Sequence, residues 1–223
     1  MKLQTTVILA MTIDGKIADR ERRAARFASN TDKSHLERLI ASMDGVLFGA
    51  STLRAYGTSL PITNRQLLEK RVRQNLPPQP VHIVCSASGD IDPEARFFRQ
   101  PLPRWLVTTP KGEALCRNHP FDKILVNPTS VEEIDWDWAF PQLTKLGLKK
   151  LGVLGGGKLV ASLVARDLID ELYLTICPLI LGGEKAPTPV EGWGLSVAEA
   201  LKLELVGINA VGSEVFLHYR RSL

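Results

Sequence analysis

Residues 151–183 read LGVLGGGKLVASLVARDLIDELYLTICPLILGG, and their reading decides the fold. Residues 151–154 are a short apolar run, long enough for a buried strand and too short for a helix. Gly155, Gly156 and Gly157 follow at once, a backbone free to take φ > 0 and bare enough for close approach. From Lys158 to Arg166, the apolar residues Leu159, Val160, Leu163 and Val164 share one helical face. Residues 172–181 form a second apolar run that ends at Gly182-Gly183. The pattern predicts strand, glycine loop, helix, strand. It places the loop, with Lys158 and Leu159, at a helix N-terminus, where unpaired N–H groups and the dipole favour a phosphate. The spacing is neither that of a P-loop nor G-x-G-x-x-G. On spacing alone, a tight strand-to-helix turn without a ligand accounts for it equally well.

Working outward, a second turn of the same kind stands at Gly49-Ala50-Ser51-Thr52, after the short apolar run 46–48. Small residues and two hydroxyls there suit phosphate or ribose oxygens. Two such turns in one chain favour a dinucleotide site over plain punctuation. The core strand predicted over 81–85 is followed by Ser86-Ala87-Ser88-Gly89-Asp90. A serine in the place where an acid would bind ribose hydroxyls leans toward a 2′-phosphate at Ser86. A first buried strand is expected over 3–11, leaving through Thr12-Ile13-Asp14-Gly15-Lys16. Asp14 and Lys16 beside that turn can orient a polar substrate, and they fit an exposed turn with solvated charges as well.

Arg20, Arg22, Arg23 and Arg26 make residues 19–26 a basic loop, read as a solvated surface with an anion-contacting flap as the minority alternative. Ser29 to Asp32 offers N-caps for a helix over 34–43, packed on the sheet. Residues 60–80 read as a surface excursion with one exposed helix. A helix over 138–146 takes Asp137 as N-cap, and 113–117 is a short helix. Strands are expected over 104–109, 123–126, 201–206 and 214–219, the last two antiparallel. The result is a three-layer α/β fold, a mixed, mostly parallel sheet flanked by helices, in one domain spanning 1–223.

Composition narrows the classes. The 223 residues are 44% hydrophobic and 23% charged, ordinary for a globular protein. A net charge of +4 suits an anionic small ligand. At 6% aromatic and without basic–aromatic interleaving, a nucleic-acid platform is not expected. Cys85, Cys116 and Cys177 form neither a disulfide framework nor a zinc spacing, so no metal is expected. No apolar run reaches a membrane span and no signal peptide is read, so the expectation is a cytoplasmic protein.

TIDGKIA at 12–18, HLERLIASMDGVLFGASTLRA at 35–55 and the glycine stretch through 183, taken together and in this order, resemble the pyrimidine reductases of riboflavin biosynthesis, a dihydrofolate-reductase-like family. The resemblance covers nearly the whole chain, without the deaminase domain of bifunctional members. It implies a dihydrofolate-reductase-like sheet, a homodimer, and hydride transfer from NADPH to the ribose of 5-amino-6-(5-phosphoribosylamino)uracil or a related compound. It places Met11, Gly49, Thr52, Gly155, Gly156, Gly157, Lys158 and Leu159 at the cofactor, and Asp14 and Lys16 beside the reacting centre. Toward the substrate the chain departs from the family. Tyr56 and Thr63 interrupt the family's R-A-D-N/D-P-x-L-x-x-R run, Leu154 replaces a glutamate, and Ile40 replaces an arginine. Two lost arginines remove bidentate phosphate recognition, for which Arg54 or the 20–26 loop would have to compensate. The alternative is a non-catalytic binding or scaffolding member of the same fold. A true dihydrofolate reductase is disfavoured because no pocket acid is read on the first helix.

Overall fold

In the computed structural model, which describes residues 2–25, 27, 29–129 and 132–222, the chain divides into two compact units. Unit 1 comprises 1–3 and 37–152, and unit 2 comprises 4–36 and 153–223.

Unit 1 is a parallel α/β layer. Its strands β2 (Gly45–Gly49), β3 (Val81–Ser86), β4 (Arg104–Thr108) and β5 (Lys123–Val126) pair in parallel from β2 outward to β5, and β6 (Lys150–Val153) follows β2 on the other side. Every residue of β2 is buried, as strands covered on both faces require. Helix α2 (Ala50–Tyr56) packs on β2 and β3, and α4 (Pro110–Cys116) on β4 and β5. Gly57, at φ 66, ends α2 in the left-handed conformation that glycine adopts without cost. Helix α5 (Trp136–Lys145) buries Trp136, Ala139, Phe140 and Leu143.

Two expectations need correction here. The N-cap of α5 is Asp135, whose carboxylate accepts from Trp138 N at 3.0 Å, and not Asp137. Asp137 already lies in the first turn, because the helix begins two residues earlier than the apolar pattern suggests. The helix of the 60–80 excursion, α3 (Arg65–Arg73), is not wholly exposed. Arg71 is 1% exposed, and its guanidinium donates to the carbonyls of Ala41, Met43 and Pro77 at 3.0, 2.7 and 2.8 Å. A planar fork of donors satisfies three carbonyls at once, which is why a charged side chain ends up in the core.

Unit 2 carries β1 (Gln4–Thr12), β7 (Glu171–Cys177), β9 (Glu214–Arg221) and β8 (Leu203–Val211), in that order. β1 and β7 are parallel; β7–β9 and β9–β8 are antiparallel. Together with the parallel pairings of unit 1, the nine-stranded sheet is mixed and mostly parallel, with the expected antiparallel closing pair. Helix α1 (Asn30–Ile40) begins in this unit, and α6 (Gly157–Val164) buries Leu159, Val160 and Leu163. All three cysteines are buried and free.

Candidate active site

The candidate residues divide between the units. In unit 2, β1 runs past Met11 into a turn built on Thr12. The Thr12 hydroxyl donates to Asp14 Oδ1 at 2.5 Å and accepts from Lys16 N at 2.9 Å, while Gly15 takes φ 77. Asp14 reaches further: Oδ1 accepts from Leu181 N at 3.2 Å and Oδ2 from Gly182 N at 2.6 Å. The Thr12 hydroxyl and these backbone N–H groups hold its carboxyl below the usual range. An anion so occupied is an anchor between the loops that follow β1 and β7, and it is a poor proton donor. Lys16 is different. Its Nζ makes one long contact, 3.4 Å to Ala186 O, which leaves ammonium protons for another acceptor.

The segment 186–191 links Lys16 to the glycine loop. Ile17 N donates to Pro187 O at 2.9 Å, and Glu191 N donates to Gly157 O at 3.1 Å. A side chain at Gly157 would fall on the Thr188 carbonyl oxygen and on Glu191. Gly157 is thus a glycine because this segment lies on it, a packing demand that adjacent glycines in a sequence do not reveal. Gly155 takes φ 100, and its peptide bond to Gly156 is cis. Gly156 starts α6 with no side-chain cap. The first-turn N–H groups of Gly157, Lys158 and Leu159 therefore suit an anion, as a dinucleotide phosphate requires.

The basic loop is only partly a solvated surface. Arg22, in the left-handed region at φ 57, reaches Glu191 Oε1 at 2.7 Å, beside Gly157. Arg23 pairs with Asp19 and Glu21, and Arg20 lies 3.9 Å from Glu21. Arg26 lies outside the described residues.

In unit 1, Gly49 ends β2 opposite Cys85, which brings it next to Ser86 at the end of β3. Gly49 is buried, and a Cβ there would make only an ordinary contact, with Ser51 Oγ at 3.7 Å. Thr52 is half-buried in α2. Ser86 is 6% exposed; its hydroxyl accepts from Gly89 N at 3.1 Å, shaping the turn after β3. Arg54 pairs with Asp90, 2.7 Å to the carbonyl and 3.1 Å to the carboxylate. Thr63 is engaged as well: its N–H and hydroxyl, with Asn64 N, all donate to Glu37 Oε1. Tyr56 is exposed and Ile40 is core.

One acid was missed in the sequence. Asp32, in the first turn of α1, is 6% exposed and hydrogen-bonded to Thr175 on β7. Burial raises its carboxyl, and the nearby Glu214 raises it further, while the Thr175 hydrogen bond lowers it. Glu214 in turn accepts from Ser29 N at 2.9 Å and from the Ser29 hydroxyl, and that same hydroxyl oxygen caps Asp32 N at 3.1 Å. Ser29-x-x-Asp32 is a capping signature, and this capping role concealed the burial.

The profile of the RibD C-terminal domain family matches residues 5–217. The chain belongs to this family. A 2,5-diamino-6-ribosylamino-4(3H)-pyrimidinone 5′-phosphate reductase of Archaeoglobus fulgidus is 28% identical over 93% of this chain and 95% of its own length. A relative of the same description from Methanothermobacter thermautotrophicus is 25% identical, with 94% of each chain covered. Among solved structures, a pyrimidine reductase-like protein of Corynebacterium diphtheriae superposes with TM-score 0.81 at 18% identity, over 99% of this chain and 92% of the other. The bifunctional deaminase/reductase of Thermotoga maritima gives 0.78 at 18% identity, covering 99% of this chain and 57% of its own. The expected family and the dihydrofolate-reductase-like fold are both met. Membership of a reductase family supports a nucleotide cofactor and a small-molecule substrate. Among the described residues no helix is long and apolar enough to cross a membrane, and no group of His, Cys, Asp and Glu could hold a metal.

Proposed function

We propose that this chain is an NADPH-dependent reductase that delivers hydride to the ribose of 5-amino-6-(5-phosphoribosylamino)uracil or a close relative. The observation that carries this reading is the family match over 5–217, joined by relatives of matching length described as 2,5-diamino-6-ribosylamino-4(3H)-pyrimidinone 5′-phosphate reductases. The same unbroken match supports treating residues 1–223 as one reductase domain, with the family's homodimer as its assembly and the cytoplasm as its compartment.

Toward the cofactor we assign Met11 and the loop residues Gly155, Gly156, Gly157, Lys158 and Leu159, together with Gly49, Thr52 and Ser86. The first turn of α6, without a side-chain cap, supports a bound dinucleotide phosphate there. When bound, NADPH supplies the hydride. What remains for the protein is to hold the open-chain sugar and to meet the charge that develops on its carbonyl oxygen. Lys16 suits this role, since an ammonium with protons to spare stabilises the oxyanion or hands it a proton. Asp14 is the positioning residue that fixes the Lys16 turn through Thr12.

The test is a titration with NADPH against NADH, followed by NADPH oxidation with the phosphoribosylaminopyrimidine. Micromolar binding that prefers NADPH, with turnover, is the expected result. Failure to bind either nucleotide would overturn the reading in favour of a non-catalytic member of the fold.

A further inference from the structure

Arg22 is placed by its backbone as well as by its side chain. Asp19 organises the turn that carries it. The Asp19 carbonyl accepts from Arg22 N at 2.9 Å, and its carboxylate accepts from Glu21 N and Arg23 N at 3.0 and 3.1 Å and from Arg23 Nε at 2.8 Å. Within this turn Arg22 takes φ 57, a left-handed conformation that is costly for a residue with a Cβ. Arg20 and Arg23 meet acids of the same loop. Arg22 instead leaves the loop and forks onto Glu191, Nη2 to Oε1 at 2.7 Å and Nη1 to Oε2 at 3.5 Å.

Glu191 is an acid in a place that disfavours one. Its Cγ and Oε2 lie 2.8 and 3.2 Å from where a Cβ on Gly157 would stand, and its N–H donates to Gly157 O at 3.1 Å. Its side chain is 17% exposed, against 53% for Arg22. A carboxylate with little solvent therefore lies against the first residue of α6, at the loop assigned above to a nucleotide phosphate. Left unpaired there, it repels a phosphate across a short path that water and salt screen poorly.

We propose that Arg22 masks the Glu191 carboxylate and thereby allows the glycine loop to hold a nucleotide phosphate. The inference rests on the nucleotide reading above and adds to it a residue outside the motifs that led there. Paired, the two side chains carry no net charge, and the N–H groups of the first turn of α6 set the sign of the site. With Arg22 removed, Glu191 sets it instead. A purely structural ion pair, strapping 186–191 to the basic loop, needs both partners equally. A mask does not: losing Arg22 alone is harmful, and losing both charges is not.

The experiment is titration of the full chain with NADPH at low and at high salt, for the wild type, Arg22→Gln, Glu191→Gln and the double variant, with thermal midpoints alongside. A partly exposed ion pair contributes little to stability, so all four are expected to fold. Arg22→Gln should weaken NADPH binding roughly ten-fold at low salt and by less at high salt. Glu191→Gln should bind at least as tightly as the wild type, and the double variant should return to within about two-fold of it, a coupling that independent sites do not show. A loss in Arg22→Gln that the double variant does not recover overturns the mask, leaving a strap or a direct phosphate contact. Unchanged NADPH affinity in Arg22→Gln overturns it too, and a raised KM for the phosphoribosylaminopyrimidine in that variant would give the arginine to the substrate's 5′-phosphate. A wild type that binds no NADPH overturns the nucleotide reading and the mask together, whereas the other adverse outcomes leave that reading standing.

Discussion

Lys16 and Asp14 stand two residues apart and do different work. Asp14 spends both oxygens on Thr12, Leu181 and Gly182, whereas Lys16 keeps donors in reserve. Lys16→Ala should therefore lower turnover by roughly 10²–10⁴-fold, the usual share of a general acid, while NADPH affinity changes little. Steady-state kinetics beside a binding titration checks the split. Asp32 makes a second case. Its folded-state pKa is raised above 3.8 by burial, so its favourable contribution is present at low pH and is lost as pH rises from 3.8 through the raised value. Asp32→Asn should accordingly raise the thermal midpoint at pH 7 by a few degrees and leave it nearly unchanged at pH 3. His82 has the opposite sign. Burial pushes its imidazole from 6.5 down to about 3, with Ser59 Oγ 2.6 Å from Nδ1 and, among the described residues, no hydrogen-bond partner at Nε2. A depressed histidine contributes stability above 6.5 that is lost as pH falls toward about 3. His82→Leu should flatten the melting profile across that window, even where the orphaned Ser59 hydroxyl costs roughly 1–3 kcal/mol.

At the scale of elements, two glycines that look alike in sequence separate into different roles. Gly157 is hemmed in by Thr188 O and Glu191, while a Cβ on Gly49 would make only an ordinary contact with Ser51 Oγ at 3.7 Å. Gly157→Ala should displace the 186–191 segment at a cost of about 1–3 kcal/mol, and it should weaken nucleotide binding as a consequence. Gly49→Ala, at an allowed φ of −76, should keep stability within about 0.5 kcal/mol of the wild type. If a cofactor phosphate lies against this backbone, that substitution still weakens nucleotide affinity. Calorimetry of folding and of binding on the same two variants tells a glycine kept for packing from one kept for a ligand. The Arg22–Glu191 pair belongs to this scale as well: it joins the basic loop to the segment lying on Gly157, so charges that read as scattered in sequence form one connected assembly with the turn of Lys16.

At the scale of the molecule, the proposed homodimer ties stability to concentration. If two copies of the chain associate, the folded dimer gains by mass action over the unfolded chain. The thermal midpoint should then rise with protein concentration. Scanning calorimetry over a roughly hundred-fold dilution, a range in which mass action is readable, checks this.

Periodicity and punctuation by themselves determined most of the strands, the glycine loop and the antiparallel closing pair, because buried strands require short apolar runs and a tight strand-to-helix turn requires glycine. Motif order determined the family. Local patterns also misplaced what depends on distant partners. Asp135 rather than Asp137 caps α5, since both are acids beside the same apolar face and only the path of the chain chooses between them. Arg71 reads as the surface of an exposed helix until three carbonyls from two other segments converge on it. Asp32 reads as a cap until β7 and β9 bring Thr175 and Glu214 beneath it. Local sequence carries the periodicity of an element; which buried polar group finds its partner is settled by pairing across the chain.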